Sequence, residues 1–387
     1  MKRIGLAFTI ATLLFAACKK EKMPQPSGEV PEIASSRSHG DDEHGNKRGH
    51  VYTMSNDAGG NEVLVYRRAA NGTLSLAGTY ETGGNGTGTG LGNQGGVILS
   101  DDGDVLLVVN AGSNSISSFK ITNNRLHLKS TVSSGGIRPV SLTTHGNLVY
   151  VLNQGGNGNI SGFRLNNNDK LEPIPNSTRP LSINAPTDPA QVSFVWGGRV
   201  LVITEKATNT ITTYTVNHWG IPGTLHTLTS STPTPFGFDK GIFGLIFVSE
   251  AAGGAPGASV LSSYRVFPNG QISLVDGSVG AGQTAACWVV ITKNGRYAYT
   301  TNTGSNNIST FDVHIFSGNV GVDDAIAATT PPGPIDAALS PDSRYMYVLN
   351  SGGHSISVFS VNNHNGNLSS IQVVPGLPAS ANGLAAD

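Results

Sequence analysis

Two glutamates interrupt a series of asparagines in this chain. Asn56, Asn110, Asn153, Glu205, Glu250, Asn302 and Asn350 each close one copy of a recurring apolar strand. A carboxylate in such a pocket can activate water, provided a donor or cation holds the oxyanion that develops. Glu205 is the candidate base, with Arg138, Gln191 or Lys206 as the stabilising partner. Glu250, in the next copy, brings a like charge towards it. Lys206, Asn110, Asn153 and Asn302 complete the set as candidate substrate-binding groups. The asparagines also have a plainer reading, because Asn at a turn commonly caps its own backbone.

Other reactive groups carry less. Cys287 precedes Trp288, but no histidine occupies an equivalent position to act as its base, so it reads as a small buried residue. Gly84–Gly96 is glycine-rich yet lacks the Lys-Ser/Thr and the helix of a phosphate loop. His39, His44 and His50 lie near Asp41, Asp42 and Glu43 without tight ligand spacing, so neither a metal nor a cofactor is expected.

Composition narrows the class. The 387 residues include 50 glycines, only 13% are charged, and the net charge is −1. A nucleic-acid binder would show a basic face, and none is written here. Two cysteines, Cys18 and Cys287, make no disulfide framework.

The elements that position the ring come from a repeat. Strands of apolar residues alternating with Ser or Thr end in or near Tyr66, Phe119, Phe163, Tyr214, Tyr264, Phe311 and Phe359, spaced by 53, 44, 51, 50, 47 and 48 residues. Period-two alternation is the mark of half-buried strands, and no stretch sustains a helical period. An apolar strand precedes each aromatic one, as in Val105–Val109. Inner strands such as Phe238–Phe243 and Ala337–Ser340 come before those, and an outer strand follows. Four antiparallel strands in a unit of about 49 residues make one blade of a β-propeller, so the expectation is all-β with seven blades over residues 49–387. The first copy begins at Val51 without an inner strand, and Ala381–Ala386 is left over at the end. Pairing the two closes the ring and removes an open edge. The aromatics then belong to the core between blades. Loops leaving each second strand gather at one channel mouth with the positions leading into the inner strands.

The N-terminus reads as an export signal. Lys2 and Arg3 precede an apolar stretch from Ile4 to Ala17, too short to span a bilayer. Ala16-Ala17-Cys18 resembles the lipobox of bacterial lipoproteins, which implies cleavage after residue 17 and lipidation of Cys18. Residues 18–48 follow as a polar linker too poor in apolar surface to fold. The expected location is therefore the bacterial cell envelope, periplasmic or surface-facing, lipid-anchored to the membrane, as a monomer without nucleic-acid partners.

Within the repeat, Tyr150-Val151-Leu152-Asn153 and Tyr347-Val348-Leu349-Asn350 resemble Tyr-Val-x-Asn repeats of bacterial propellers. Leu339-Ser340-Pro341-Asp342-Ser343-Arg344 is similar to the turn of the seven-bladed lactonase family, which includes 6-phosphogluconolactonases and carboxymuconate-lactonizing enzymes. The resemblance implies hydrolysis of a small lactone at the channel mouth. There the family carries a Pro-Arg-His motif and a later glutamate. Here the motif reads Pro189-Ala190-Gln191 and the glutamate is Glu205. The alternative is a non-catalytic propeller that presents its face to a protein, glycan or small ligand.

Overall fold

Strands that alternate apolar and small polar residues bury one set of side chains between neighbouring sheets. In a computed structural model that describes residues 49–387, they form seven antiparallel sheets arranged as a β-propeller. Counting from the channel outward, blade 2 is Val97–Leu99, Val105–Asn110, Ser115–Thr122 and Arg125–Ser133. Blade 4 is Pro189–Val195, Val200–Glu205, Thr210–Val216 and Pro222–Thr229. Blades 5, 6 and 7 repeat the pattern from Pro235, Ala286 and Pro334. Blade 3 starts at Pro139, and its outer position is split between Leu171–Pro173 and Arg179–Pro180. The signal peptide, Cys18 and the linker lie outside the described residues.

Ring closure follows the expected route. Asn382–Ala386 pairs antiparallel with Gly49–Met54 and becomes the inner strand of blade 1. Asp387 extends the join, because its carboxylate accepts from the His50 amide and, at 2.9 Å, from the Tyr52 hydroxyl. The seven repeat aromatics are all buried, none more than 3% exposed. They pack between blades, as Phe119, Phe163 and Tyr214 do in one shared cluster.

Several inner strands begin earlier than the alternation suggests, and blade 5 ends its inner strand at Lys240 rather than Phe243. A bulge at a common register explains the first point. It falls between Pro189 and Gln191, Pro235 and Phe238, Ala286 and Trp288, and Pro334 and Ala337. A bulge adds one residue to one strand and so breaks the period of two. Proline suits the first position because its missing N–H leaves no ladder bond unmade. The residues just before the inner strands of blades 3 to 6, Arg138, Asp188, Thr234 and Ala285, have φ between 46° and 55° or, for Thr234, 65°. That strained turn is clipped by the preceding blade. Asn114 and Asn209 accept from the amides of Arg138 and Thr234, each at 2.8 Å.

Candidate functional site

At the ends of the second strands the ring of Asn and Glu side chains is present, but all except Asn56 are turned towards the third strands. Asn56 donates to Thr89 O at 2.6 Å and accepts from the Thr87 amide at 3.0 Å. Asn110 donates to the Ser117 hydroxyl at 2.8 Å, Asn302 to that of Ser309 at 2.8 Å, and Asn350 to that of Ser357 at 2.9 Å. Asn153 donates to Asn159 at 2.7 Å. These bonds join strands within a blade, where the turn reading expected caps on the residue's own backbone. The partner is the Ser of the alternating polar set, which explains why that set is Ser or Thr.

The two glutamates occupy the same place. Glu205 is fully buried, and its oxygens accept four bonds: from the Ser182 amide (3.1 Å), the Ser182 hydroxyl, Thr208 (3.1 Å) and Thr212 (2.6 Å). Glu250 accepts from the Thr232 amide (2.7 Å), Ser262 (2.9 Å) and the Tyr264 hydroxyl. Burial pushes its carboxyl above the ordinary range, outweighing those hydrogen bonds. No hydrogen bond or ion pair among the described residues joins either glutamate to the other, to Arg138 or to Gln191. Gln191 instead bridges two inner strands, donating to Phe238 O at 2.9 Å and accepting from Phe238 N at 2.7 Å.

The mouth itself is closed by the glycine-rich run. The chain here crosses the channel opening and is bolted at successive residues. Gly92 O accepts from Lys206 Nζ at 2.6 Å, and Asn93 O accepts from Trp288 Nε1 at 2.7 Å. Gln94 donates to Val289 O at 2.8 Å, a contact between residues 195 positions apart. Glycine is required by proximity: a Cβ on Gly86 would lie 2.1 Å from the Asn56 carbonyl carbon.

Lys206 is the fastener. Its ammonium sits 4.8 Å from the Phe236 ring centroid and 3.4 Å from Asp188 Oδ1. Burial pulls its pKa down, with Asp188 acting in the opposite direction. Gln154 Nε2 donates to the same Asp188 oxygen at 2.7 Å. Arg138 is half-buried near this group, and its Nε has no hydrogen-bond partner. Cys287 is buried and its thiol is pushed up to about 12, so it is no nucleophile near neutral pH. Among the described residues, no group of three His, Cys, Asp or Glu side chains could hold a metal ion.

A cavity of about 270 Å³ does open on this face, but across the ring from Glu205. Its walls come from blades 6, 7 and 1 and from the glycine-rich run, with Trp288, Ile335, Ser351 and Asn382 as the larger side chains. No charged residue lines it. Asn382 is 2% exposed, and its Oδ1, itself enclosed beside Gly96, has no hydrogen-bond partner. Sequence reasoning missed this cavity. Asn382 falls there only within the leftover Ala381–Ala386, and the meeting of blades 6, 7 and 1 exists only in three dimensions.

A family model described as lactonase, 7-bladed beta-propeller, matches residues 44–177 and 265–383. The unmatched stretch between them contains Gln191, Glu205, Lys206 and Glu250. Among solved structures, a provisionally assigned 6-phosphogluconolactonase of Bacteroides fragilis is 17% identical, with TM-score 0.68 over 88% of this chain and 98% of that one. A Lactobacillus plantarum protein is 16% identical, with TM-score 0.69 over 88% and 100%. The periplasmic gluconolactonase PpgL of Pseudomonas aeruginosa is 17% identical, with TM-score 0.65 over 87% and 99%. No curated protein matches the sequence.

Proposed function

This chain belongs to the seven-bladed β-propeller lactonase family, and from that premise we propose that it binds a small neutral ligand without using Glu205 as a hydrolytic base. The carrying observation is the state of Glu205, fully buried and accepting four hydrogen bonds. A general base must reach the proton it removes, through one water at most. Neither carboxylate oxygen is left to do so. The gap in the family match over residues 178–264 supports the same reading.

The ligand site is the cavity beside Asn382. At about 270 Å³ it lies just below the usual range of small-molecule sites, about 300–1,000 Å³, so it admits a single ring. The absence of lining charge selects a neutral compound. Ser351 and Asn382 are the polar side chains of the lining, suited to a hydroxylated ligand, and Trp288 and Ile335 supply an apolar wall. Sugar lactones and sugars have that chemistry, and the names of the B. fragilis and P. aeruginosa relatives point the same way.

The location rests on Lys2, Arg3, the apolar stretch and Cys18: a lipid-anchored protein of the bacterial envelope. The periplasmic relative is in keeping with it. No helix among the described residues is long and apolar enough to cross a membrane.

Calorimetric titration with neutral sugar lactones and monosaccharides tests the site. Saturable binding that Asn382→Leu abolishes is expected. A lactone hydrolysed at a rate that falls on Glu205→Gln, in a folded protein, would refute it. Lactone hydrolysis is the second reading, and the match of the family model on both sides of blade 4 is what favours it.

A further inference from the structure

We propose that the face opposite the glycine-rich run lies against the surface of a lipid bilayer, with exposed aromatic turns of blades 4 to 6 as its contact. This rests on the reading of Cys18 as a lipid anchor, and the test below separates the two.

Every exposed Phe and Trp among the described residues lies on that face. They are Trp219 (63% exposed), Phe243 (58%), Phe267 (39%) and Phe316 (62%). Each sits in a turn joining a first strand to a second, or a third to a fourth, and such turns all emerge on one side of a propeller. The turns are held together. Arg265 donates to Phe243 O and to Phe316 O, both at 3.0 Å, and Trp196 Nε1 reaches Val266 O at 2.8 Å. Large aromatics left in water on a single face mark an interaction surface, and aromatic side chains settle at bilayer interfaces.

Two observations select lipid as the occupant. The first is charge. The six turns of blades 4 to 6 on this face contain no Asp or Glu, while Arg199, Lys293 and Arg296, with Lys240 at a strand end, are exposed beside them. None of these four forms a salt bridge among the described residues. The aromatic turns themselves are cationic and complementary to anionic headgroups. The exposed acids of this face include Asp312 near a strand end of blade 6 and Asp101, Asp102, Asp104 and Asp342 on the turns of blades 2 and 7. The second is where the preceding chain joins the propeller. Gly49 opens the second strand of blade 1, paired with Arg68 just before the Ala69–Thr73 turn, so it stands on this same face. Thirty residues separate Cys18 from Gly49. Their fullest reach is about 100 Å, so the tether joins the propeller on this face and is long enough to let it meet the bilayer.

The test uses the full chain, lipidated and as Cys18→Ser, with vesicles of phosphatidylglycerol and phosphatidylethanolamine or of phosphatidylcholine alone. The Cys18→Ser protein is expected to sediment with the anionic vesicles. The triple change Trp219→Ser, Phe243→Ser, Phe316→Ser should weaken this about tenfold or more. Ile137→Ser, on the opposite face, should leave it unchanged. In the lipidated protein, brominated lipid should quench Trp219, read against Trp219→Phe. Equal sedimentation of the triple variant, or unquenched Trp219, overturns the proposal. Sedimentation of only the lipidated form also overturns it while upholding the anchor. Binding by the Cys18→Ser chain, with no lipid found on Cys18 in the wild type, upholds the surface and removes the anchor.

Discussion

Replacing Glu205 by alanine separates a structural carboxylate from a catalytic one. The change strands the Ser182 amide and the hydroxyls of Ser182, Thr208 and Thr212, all of which donate to it. Leaving a buried donor unmade costs about 1–3 kcal/mol, more when the lost partner was charged. Ser182 and Thr208 are partly exposed and regain water, whereas Thr212 is buried. The expected loss is therefore about 3–5 kcal/mol, a large share of a typical stability of about 5–15 kcal/mol. Unfolding entropy near 2.1 cal/mol/K per residue, over residues 49–387, amounts to about 0.7 kcal/mol/K. The midpoint should then fall by about 4–7 °C. Glu205→Gln keeps one acceptor and lets hydroxyls turn to receive its amide, so about 1–3 °C is expected. Thermal unfolding followed by circular dichroism at neutral pH reads both variants. If Glu205→Ala melts within a degree of wild type, the four bonds are not structural. If it also abolishes a lactonase activity, the carboxylate is catalytic and the binding proposal fails.

Three further outcomes follow from the same contacts. Deleting residues 381–387 removes the inner strand of blade 1, and the shortened protein should aggregate or lose its sheet signal in size-exclusion and dichroism measurements. Lys206→Met keeps an apolar stem against Phe236 but loses the bond to Gly92 O, so amide exchange should rise at residues 90–94 with little change in global melting. For pH, burial raises the carboxyls of Glu250 and Asp336, so the folded state holds their protons more tightly than the unfolded chain does. Their contribution is complete below the ordinary carboxyl range, near pH 4, and is lost as pH rises through the raised values. Burial also works against the Asp387 carboxylate, but bonds from His50 and Tyr52 outweigh it and hold its pKa low. Its contribution persists above the ordinary range and is lost as pH falls through the lowered value. Melting temperature should therefore rise as pH falls from neutral towards the ordinary carboxyl range, about pH 4, and drop below it, and Glu250→Gln should flatten the rise.

The candidate site was only half legible. That Glu205 and Glu250 replace asparagine at one register is written in the spacing, and both stand there. Which way they point is not. A side chain at a strand end can face the channel or the next strand, and the choice is made by Thr212, Ser262 and Tyr264 on neighbouring strands. Lys206 was named as a ligand contact, yet its ammonium fastens the glycine-rich run to the ring.

Period-two alternation, the aromatic spacing and the orphan residues at 381–386 already contain seven blades and their closure, because these depend on residues close in the chain and on one repeated packing problem. The bolted mouth and the cavity beside Asn382 do not appear at that level. They arise where Gln94 meets Val289 and where blades 6, 7 and 1 converge, and such meetings exist only after the ring has brought distant loops to one axis.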